Sequence, residues 1–317
     1  MKNSKILVFL VLLVTFIIWS NAFIAISVLK QKLTTFQLIE LRFIPVGIIS
    51  MLIVGLFYRK QFIEMMRNHY LRLIVAGLLA VISYNLLLYY GMSYINANAG
   101  SLLISLNPLF TLVLAAQLLK ESFTLRRAIG TLMAFAGLVV VVLLGKVGLT
   151  ETALIPLDKL HFALVIVLAA LSWAMYTVVV KPLTIKYSPV ALNYVTLSLG
   201  CLPLYLGINR NLMEKAISLN LTEIFWLTFL SIGCTIVGFS LWLIGVKHWK
   251  ASNVSLFVFL NPPLTVIFSF IFFRQKISLF FLVGGLVMLM GIIIAVSKKS
   301  RRQIKMGLRK QRFVIDP

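Results

Sequence analysis

The sequence contains few charged residues and very few acidic ones. Asp, Glu, Lys and Arg make up 12% of its 317 residues, and only 8 residues are acidic. A water-soluble globule needs far more polar material to cover its surface. With 61% hydrophobic residues and a mean hydropathy of +1.03, the composition predicts an integral membrane protein.

Groups that carry enzyme chemistry are also scarce. Cys201 and Cys234 lie inside apolar runs, at no spacing typical of a disulfide or a metal site. His69, His161 and His248 fall at loops or helix ends, and the chain has no Gly-rich phosphate loop. We therefore expect no enzymatic activity, no metal and no cofactor.

The basic excess follows the pattern of a membrane topology signal. The net charge of +22 comes from Lys and Arg in short loops and in a tail that begins at Lys298. Such clusters mark the cytoplasmic side of a membrane protein. We expect no nucleic-acid partner, and we expect the tail to lie against anionic lipid headgroups. Binding of a partner protein by the tail is the alternative.

Ten apolar runs are long enough, or nearly long enough, to cross a hydrocarbon core of about 30 Å as helices. Counting Lys and Arg by side predicts a multi-pass protein of the cell membrane with both termini in the cytoplasm. The runs are residues 6–28, 35–57, 70–91, 97–119, 124–144, 160–181, 189–208, 222–245, 251–273 and 277–297.

The chain contains an internal duplication. The stretch Leu106-Asn107-Pro108-Leu109 recurs as Leu260-Asn261-Pro262-Pro263, and the same offset places Trp19 on Trp173. Five helices per half is an odd number, so the halves should cross the membrane in opposite orientations, as in many secondary transporters. The predicted fold class is an all-α membrane protein with ten transmembrane helices in two inverted five-helix repeats. The predicted segments are the first repeat 1–145, a connecting loop 146–159, the second repeat 160–297 and a basic tail 298–317.

The fourth and fifth runs resemble a known family. The run GMSYINANAGSLLISLNPLFTLVLAAQLLKESFTLRRAIGTLMAFAG, which begins at Gly91, looks like the carboxy-terminal part of the EamA repeat of the drug/metabolite transporter superfamily. A more diverged copy begins at Gly245. Pro108 and Pro262 match the family's fourth-helix proline, and Glu121 matches its acid after that helix, where the second copy has Gln275. The resemblance implies a transporter of small molecules.

Both Asn-Pro pairs lie near the middle of apolar runs. Proline removes a backbone donor and clashes with the carbonyl four residues earlier, so Pro108, Pro262 and Pro263 predict helix kinks. Asn107 and Asn261 either face a central aqueous cavity, beside carbonyls freed at Ile104 and Val258, or bond a neighbouring helix.

Aromatic and amide side chains lie deep in other runs and are further candidates for the substrate pathway. Trp19 and Trp173 occupy equivalent positions in the two halves, and such aromatic pairs offer flat apolar walls to a ligand. An amide or a phenol facing lipid is costly, so at least part of this set should face inward, towards a cavity or another helix. The further members are Asn21, Tyr84, Asn85, Tyr176 and Trp242.

Glu40 is the only acidic residue more than two positions inside an apolar run. A buried carboxyl can carry a coupling proton, but Glu40 lies close enough to its helix start to reach the outer interface instead. Arg42 points about 200° away on a helix and is no obvious partner.

These observations favour a secondary transporter that moves small organic metabolites by alternating access. Because the deep positions carry almost no formal charge, we expect a neutral or zwitterionic cargo, with amino acids first and export favoured by the family resemblance. The alternatives are an exporter of cationic drugs or other metabolites with proton coupling through Glu40, a channel, and a lipid-modifying enzyme. The oligomeric state is not predicted.

Overall fold

A computed structural model describes residues 2–95, 100, 103–122, 124–144, 159–264, 267–268 and 279–296, and these residues contain helices and no strand. The α-helices are α1 (Lys2–Ser20), α2 (Ala22–Leu29), α3 (Thr35–Phe57), α4 (Arg59–Gly77), α5 (Tyr84–Gly91), α6 (Asn107–Leu118), α7 (Leu125–Leu144), α8 (Leu160–Lys186), α9 (Pro189–Cys201), α10 (Arg210–Ile217), α11 (Leu221–Thr228), α12 (Gly238–His248), α13 (Ala251–Ser255) and α14 (Leu279–Val296).

Six helical stretches of the described chain are long and apolar enough to cross a membrane. They correspond to the first, second, third, sixth, seventh and eighth predicted runs. Each of the other four runs includes residues or side chains outside the described part, so the number ten stays a prediction. The six stretches are Ile6–Ile26, Thr35–Phe57, Arg59–Gly91, Leu160–Lys186, Pro189–Gly207 and Leu221–His248.

The structure corrects two boundaries. The segment before residue 70, which we predicted as a loop, is helical from Arg59, with one non-helical residue at His69. It contains no Gly or Pro to end a helix. The sixth run continues through Pro182 to Lys186, although we expected it to end near Lys181.

Two segments are wound as π-helices, Leu78–Ser83 between α4 and α5 and Phe229–Val237 between α11 and α12. A π-turn shifts the backbone hydrogen bonds by one residue and leaves carbonyls that need other donors, and such segments often lie at functional sites. Under the sequence offset that relates the two halves, Val81 corresponds to Thr235, so the two π-helices occupy equivalent places.

Helices α7 and α14 pack closely along glycines. A Cβ atom added at Gly130 would lie 2.7 Å from the Gly291 carbonyl oxygen, and one at Gly137 would lie 2.7 Å from the Gly284 carbonyl oxygen. As the residue number rises from 130 to 137 in α7, the number of the contacted residue falls from 291 to 284 in α14, so the two helices run antiparallel. Small residues permit this backbone approach in a membrane, where packing drives helix association.

The start of α3 fixes the helix that carries Arg42. The Thr34 side chain accepts a hydrogen bond from the Gln37 backbone N–H, and the Gln37 side chain accepts one from the Thr34 N–H. This capping box satisfies two amide groups at the helix start. The helix then places Arg42 about two turns inside the apolar run.

Candidate functional site

A cavity of about 640 Å³, counting the open space at its mouth, lies between segments of both halves of the chain. Its wall is mostly apolar with a few polar groups, which is typical of a site for a small organic ligand. The residues that line it are Phe16, Trp19, Ala22, Phe23, Ile26, Arg42, Tyr84, Asn85, Leu88, Tyr89, Ile104, Asn107, Ala170, Trp173, Cys234, Phe239, Val258 and Asn261.

Among the described residues that line this wall, Arg42 is the only charged one. Its side chain is buried, with 5% of the residue exposed. The guanidinium donates to Thr235 Oγ1 from Nε at 3.1 Å and from Nη2 at 2.9 Å, and from Nη1 to Asn85 Oδ1 at 3.3 Å and to the Tyr89 hydroxyl. It also lies 4.7 Å from the centre of the Phe43 ring. All of these partners are neutral.

The two π-helices orient the partners of Arg42. Asn85 donates its amide to the carbonyls of Ala80 at 2.9 Å and Val81 at 3.1 Å, so its oxygen faces the guanidinium. Thr235 donates its hydroxyl to the Leu230 carbonyl at 2.9 Å, so its lone pairs face the same group. Each side chain satisfies a π-helix carbonyl with its donor and offers its oxygen to Arg42.

Four aromatic rings form a connected cluster beside the cavity. The rings of Trp19 and Trp173 lie 5.3 Å apart, edge to face, and Phe239 lies 5.1 Å from Trp173 and 5.9 Å from Trp19. Trp242 packs behind them, 5.6 Å from Trp19. The Trp19 indole N–H donates to the Cys234 carbonyl in the second π-helix at 2.9 Å, which fixes the ring against the wall.

The two asparagines of the Asn-Pro pairs reach the cavity wall from different backbones. Asn107 begins α6, with Pro108 in the first turn, and its amide donates to the Ala170 carbonyl of α8 at 2.9 Å. Asn261 follows a 3₁₀ segment, Leu256–Leu260. Its backbone N–H donates to the Val258 carbonyl, so that carbonyl is not freed, contrary to our expectation. The amide of Asn107 bonds a neighbouring helix while the residue still lines the cavity.

The prolines interrupt their runs rather than bend a continuous helix. A two-residue turn, 105–106, precedes Asn107, and the 3₁₀ segment precedes Pro262 and Pro263. A tighter turn before proline avoids the clash with the carbonyl four residues earlier.

Six of the nine predicted substrate-pathway residues line the cavity and three do not. Asn21, between α1 and α2, donates its amide to the Ile17 carbonyl of α1 at 2.9 Å. Trp242 and Tyr176 are fully buried and support the wall from behind, with Tyr176 5.0 Å from Trp173. The six on the wall are Trp19, Tyr84, Asn85, Asn107, Trp173 and Asn261.

Glu40 lies outside the cavity wall, half-buried against Gly207 at the end of the 3₁₀ segment Leu202–Gly207. Its carboxylate is on the opposite side of α3 from Arg42, as the helical angle predicts. Proton coupling through Glu40 stays a prediction.

Arg42 and its hydrogen-bond partner Thr235 were not among the predicted site residues. We considered Arg42 only as a partner of Glu40, whereas α3 begins at Thr35, as predicted, and places Arg42 on the face that lines the cavity. An available signal was that Arg42 has no acidic residue three or four positions away. Thr235 gave no signal, because a threonine inside an apolar run is common and the π-turn that orients it is invisible in the sequence.

Polar contacts join the two halves beyond both ends of the cavity. On the side that our topology assigns to the exterior, Lys32 pairs with Glu223 at 3.0 Å. On the same side, within the first half, Lys30 donates to the Tyr89 carbonyl at 2.9 Å and to Ser93, and burial lowers the pKa of the Lys30 ammonium.

On the side assigned to the cytoplasm, Glu121 caps the start of α13. Its carboxylate accepts from the backbone N–H of Ala251 at 2.8 Å, and from the N–H of Ser252 at 3.3 Å and its hydroxyl at 2.5 Å. Lys181 donates to the carbonyls of Val246 and Trp249 at the end of α12, the latter at 2.8 Å. The negative charge of Glu121 is opposite to the partial positive charge at a helix start, and the positive charge of Lys181 is opposite to the partial negative charge at a helix end.

A model of the EamA-like transporter family matches two segments of the chain, residues 6–143 and 161–297. An uncharacterized transporter of Archaeoglobus fulgidus is 28% identical over 290 residues, which are 92% of this chain and 99% of the relative. The uncharacterized transporter YyaM of Bacillus subtilis is 27% identical over 248 residues, 77% of this chain and 79% of the relative. A protein crystal structure that is 18% identical covers 90% of this chain and 95% of its own, with a TM-score of 0.70, and supports the fold.

Proposed function

The chain belongs to the EamA-like transporter family, and from that premise we propose that it is a secondary transporter that moves small organic metabolites across the cell membrane by alternating access. The observation that carries this proposal is the cavity, which takes wall residues from both halves of the chain. A central site between two related units is the arrangement that secondary transporters use. Amino acids are our leading cargo, and export is the favoured direction.

The contacts between the halves support inverted repeats. Under the offset that relates the halves, Gly130 corresponds to Gly284 and Gly137 to Gly291. In the fold Gly130 meets Gly291, and Gly137 meets Gly284. A twofold relation exchanges equivalent positions in this way, and α7 and α14 are antiparallel, as helices of oppositely oriented units must be.

The loop contacts support the proposed sharing of sides among the loops, while the cytoplasmic location of both termini is proposed from the Lys and Arg distribution. Lys32 and Glu223 come from segments that this topology assigns to the exterior, and Glu121 and Ala251 from segments that it assigns to the cytoplasm. Contacts between segments assigned to opposite faces of the membrane would have contradicted this assignment.

Counterflow in proteoliposomes tests the transport mechanism. Purified protein is reconstituted in vesicles loaded with a mixture of unlabelled amino acids, and entry of each labelled amino acid is measured. A carrier gives saturable uptake that exceeds its equilibrium level for a time. Flux that is linear in concentration and shows no counterflow would indicate a channel. If no amino acid enters faster than in empty vesicles, amino acids are excluded as cargo, and the same assay continues with other metabolites.

A further inference from the structure

The charge of Arg42 has no counterion among the described residues. Of the 8 acidic residues, Glu151, Asp158 and Asp316 lie outside the described part. The carboxylates of Glu64, Glu214 and Glu223 pair with Lys186, Arg210 and Lys32. Glu121 binds the start of α13, and Glu40 lies against Gly207.

A buried cation held only by neutral groups is an unusual and costly feature in a membrane. Arg remains protonated in proteins, so Arg42 cannot lose its charge as a buried lysine can. Desolvation of an ion costs several kcal/mol unless an opposite charge compensates for it. Intramembrane ionisable residues of this kind usually mark a substrate pathway.

The guanidinium retains hydrogen-bonding capacity towards the cavity. It has five N–H groups, and four hydrogen bonds to protein acceptors involve Arg42. One N–H on Nη2 therefore remains without an acceptor among the described residues. In addition, the bond from Nη1 to Asn85 is long at 3.3 Å and is readily exchanged for a stronger acceptor.

The other residues of the cavity wall indicate the chemistry of the rest of the ligand. The same cavity is lined by the rings of Trp19, Tyr84 and Trp173, with Tyr84 and Trp173 4.9 Å apart. Aliphatic and aromatic side chains together make up most of the remaining wall. A ligand that fits this surface has one anionic group and an apolar or aromatic body.

We propose that Arg42 binds the carboxylate of the cargo, so that the transported class is organic carboxylates with an apolar or aromatic body. This inference rests on the proposed transport function and names the substrate class of the same cavity. A carboxylate accepts two N–H groups of a guanidinium side by side and supplies the missing negative charge. An amino acid meets this requirement as a zwitterion, and its desamino analogue meets it as an anion.

A purely structural role for Arg42 is the competing explanation. Its bonds to Asn85 and Thr235 join the two π-helical regions, and this cross-link alone would account for its burial. That role predicts that substitution lowers stability without changing which ligands bind.

Binding to the unsubstituted protein gives the first test. The unfolding temperature of the detergent-solubilised protein is measured with L-phenylalanine, 3-phenylpropionate and a set of aliphatic carboxylates, each beside its own amide. We expect at least one carboxylate to raise the unfolding temperature and its amide to have no effect at the same concentration. The proposal is overturned if no carboxylate stabilises the protein more than its amide does.

Variants of Arg42 give the second test. For the carboxylate that binds, we expect Arg42→Gln to weaken affinity by about 10- to 150-fold, the loss typical of a hydrogen bond to a charged group. Arg42→Lys should be intermediate, because it keeps the charge and loses the planar fork. Arg72→Gln, at an exposed arginine, is the control for net charge and should bind normally. Unchanged affinity in a folded Arg42→Gln protein would overturn the proposal.

The two assays separate the failures. If the protein exchanges metabolites with no preference for a carboxylate, the transport function stands and Arg42 does not bind the cargo. If a carboxylate binds in a manner that depends on Arg42 but no bound compound is exchanged, the binding site stands and the transport function is overturned. A difference between L-phenylalanine and 3-phenylpropionate then reveals whether the ammonium group is also recognised.

Discussion

At the residue scale, the Trp19 indole joins α1 to the second π-helix. Its N–H donates to the Cys234 carbonyl at 2.9 Å, while its ring packs on Trp173 and Phe239. One side chain therefore both shapes the cavity wall and satisfies a backbone group that the π-turn leaves open. The indole of Trp242 has no acceptor for its N–H among the described residues, although it is the more buried of the two.

These two tryptophans make a matched pair for mutation. We expect Trp19→Phe to lower the free energy of unfolding by about 1–3 kcal/mol, because the Cys234 carbonyl loses its donor in a dry environment. Trp242→Phe removes no such bond and should cost less, despite the greater burial of that ring. Thermal unfolding in detergent measures both. An equal or larger loss for Trp242→Phe would assign the effect to ring size alone.

Nine pathway residues were selected by residue type and depth in a run, and six of them line the cavity. Tyr84, Asn85 and Asn107 were found because an amide or a phenol deep in an apolar run must face inward. Arg42 was missed although its run was predicted to begin at residue 35, where α3 does begin, because the sequence does not show which face of a helix lines a cavity. The same limit applies to Asn21, whose amide donates to the Ile17 carbonyl of the preceding helix α1.

At the element scale, the contact between α7 and α14 depends on backbone proximity. An added methyl group at Gly137 would meet the Gly284 carbonyl oxygen at 2.7 Å, so the two helices would have to separate. In contrast, a methyl group at Gly285 of α14 has nothing within 4 Å among the described atoms. The two glycines differ in their surroundings while both lie inside this helix pair.

We expect Gly137→Ala to destabilise the protein by about 1–3 kcal/mol through overpacking. Gly285→Ala should be neutral or stabilising by up to about 1 kcal/mol, since Ala is the better helix former. Unfolding temperatures of the two variants in one detergent give the comparison. If both alanines behaved alike, the close helix contact would not limit stability.

Apolar runs predicted the positions of the spanning helices better than their internal winding. A run that is hydrophobic on all sides has no periodicity from which a π-turn or a 3₁₀ turn can be read. The segments Leu78–Ser83 and Phe229–Val237 therefore gave no warning, while the prolines at 108, 262 and 263 did mark interruptions. The helix from Arg59 was missed because its polar face hides it from a hydropathy criterion.

At the scale of the whole molecule, charged contacts join the halves at both ends of the cavity. Lys32 and Glu223 lie beyond one end, and Glu121 with the start of α13 lies beyond the other. In an alternating-access cycle each set must separate when the cavity opens on its side. The native thiol of Cys234 lines the cavity, and Cys201 does not, so Cys234 can report the opening.

In a Cys201→Ser background, we expect Glu223→Gln to increase the rate at which an impermeant maleimide labels Cys234 from outside whole cells. Glu121→Gln should increase labelling from the cytoplasmic side, measured in inverted vesicles. Each effect should be on the order of a few-fold, as the loss of a single ion pair or cap allows. Glu214→Gln, in an exposed pair with Arg210, is the control and should change neither rate. Labelling that rose on both sides together would indicate loosening of the fold rather than a shift between two states.

The uncompensated guanidinium also has an electrical consequence for the cycle. If a carboxylate without an ammonium group crosses bound to Arg42, each turnover moves one net negative charge, whereas a zwitterion moves none. A membrane potential of 100 mV, negative inside, then favours efflux of the anion by about 2.3 kcal/mol per charge. Cargo of the first kind would be expelled by voltage alone, and cargo of the second kind only down its own concentration gradient.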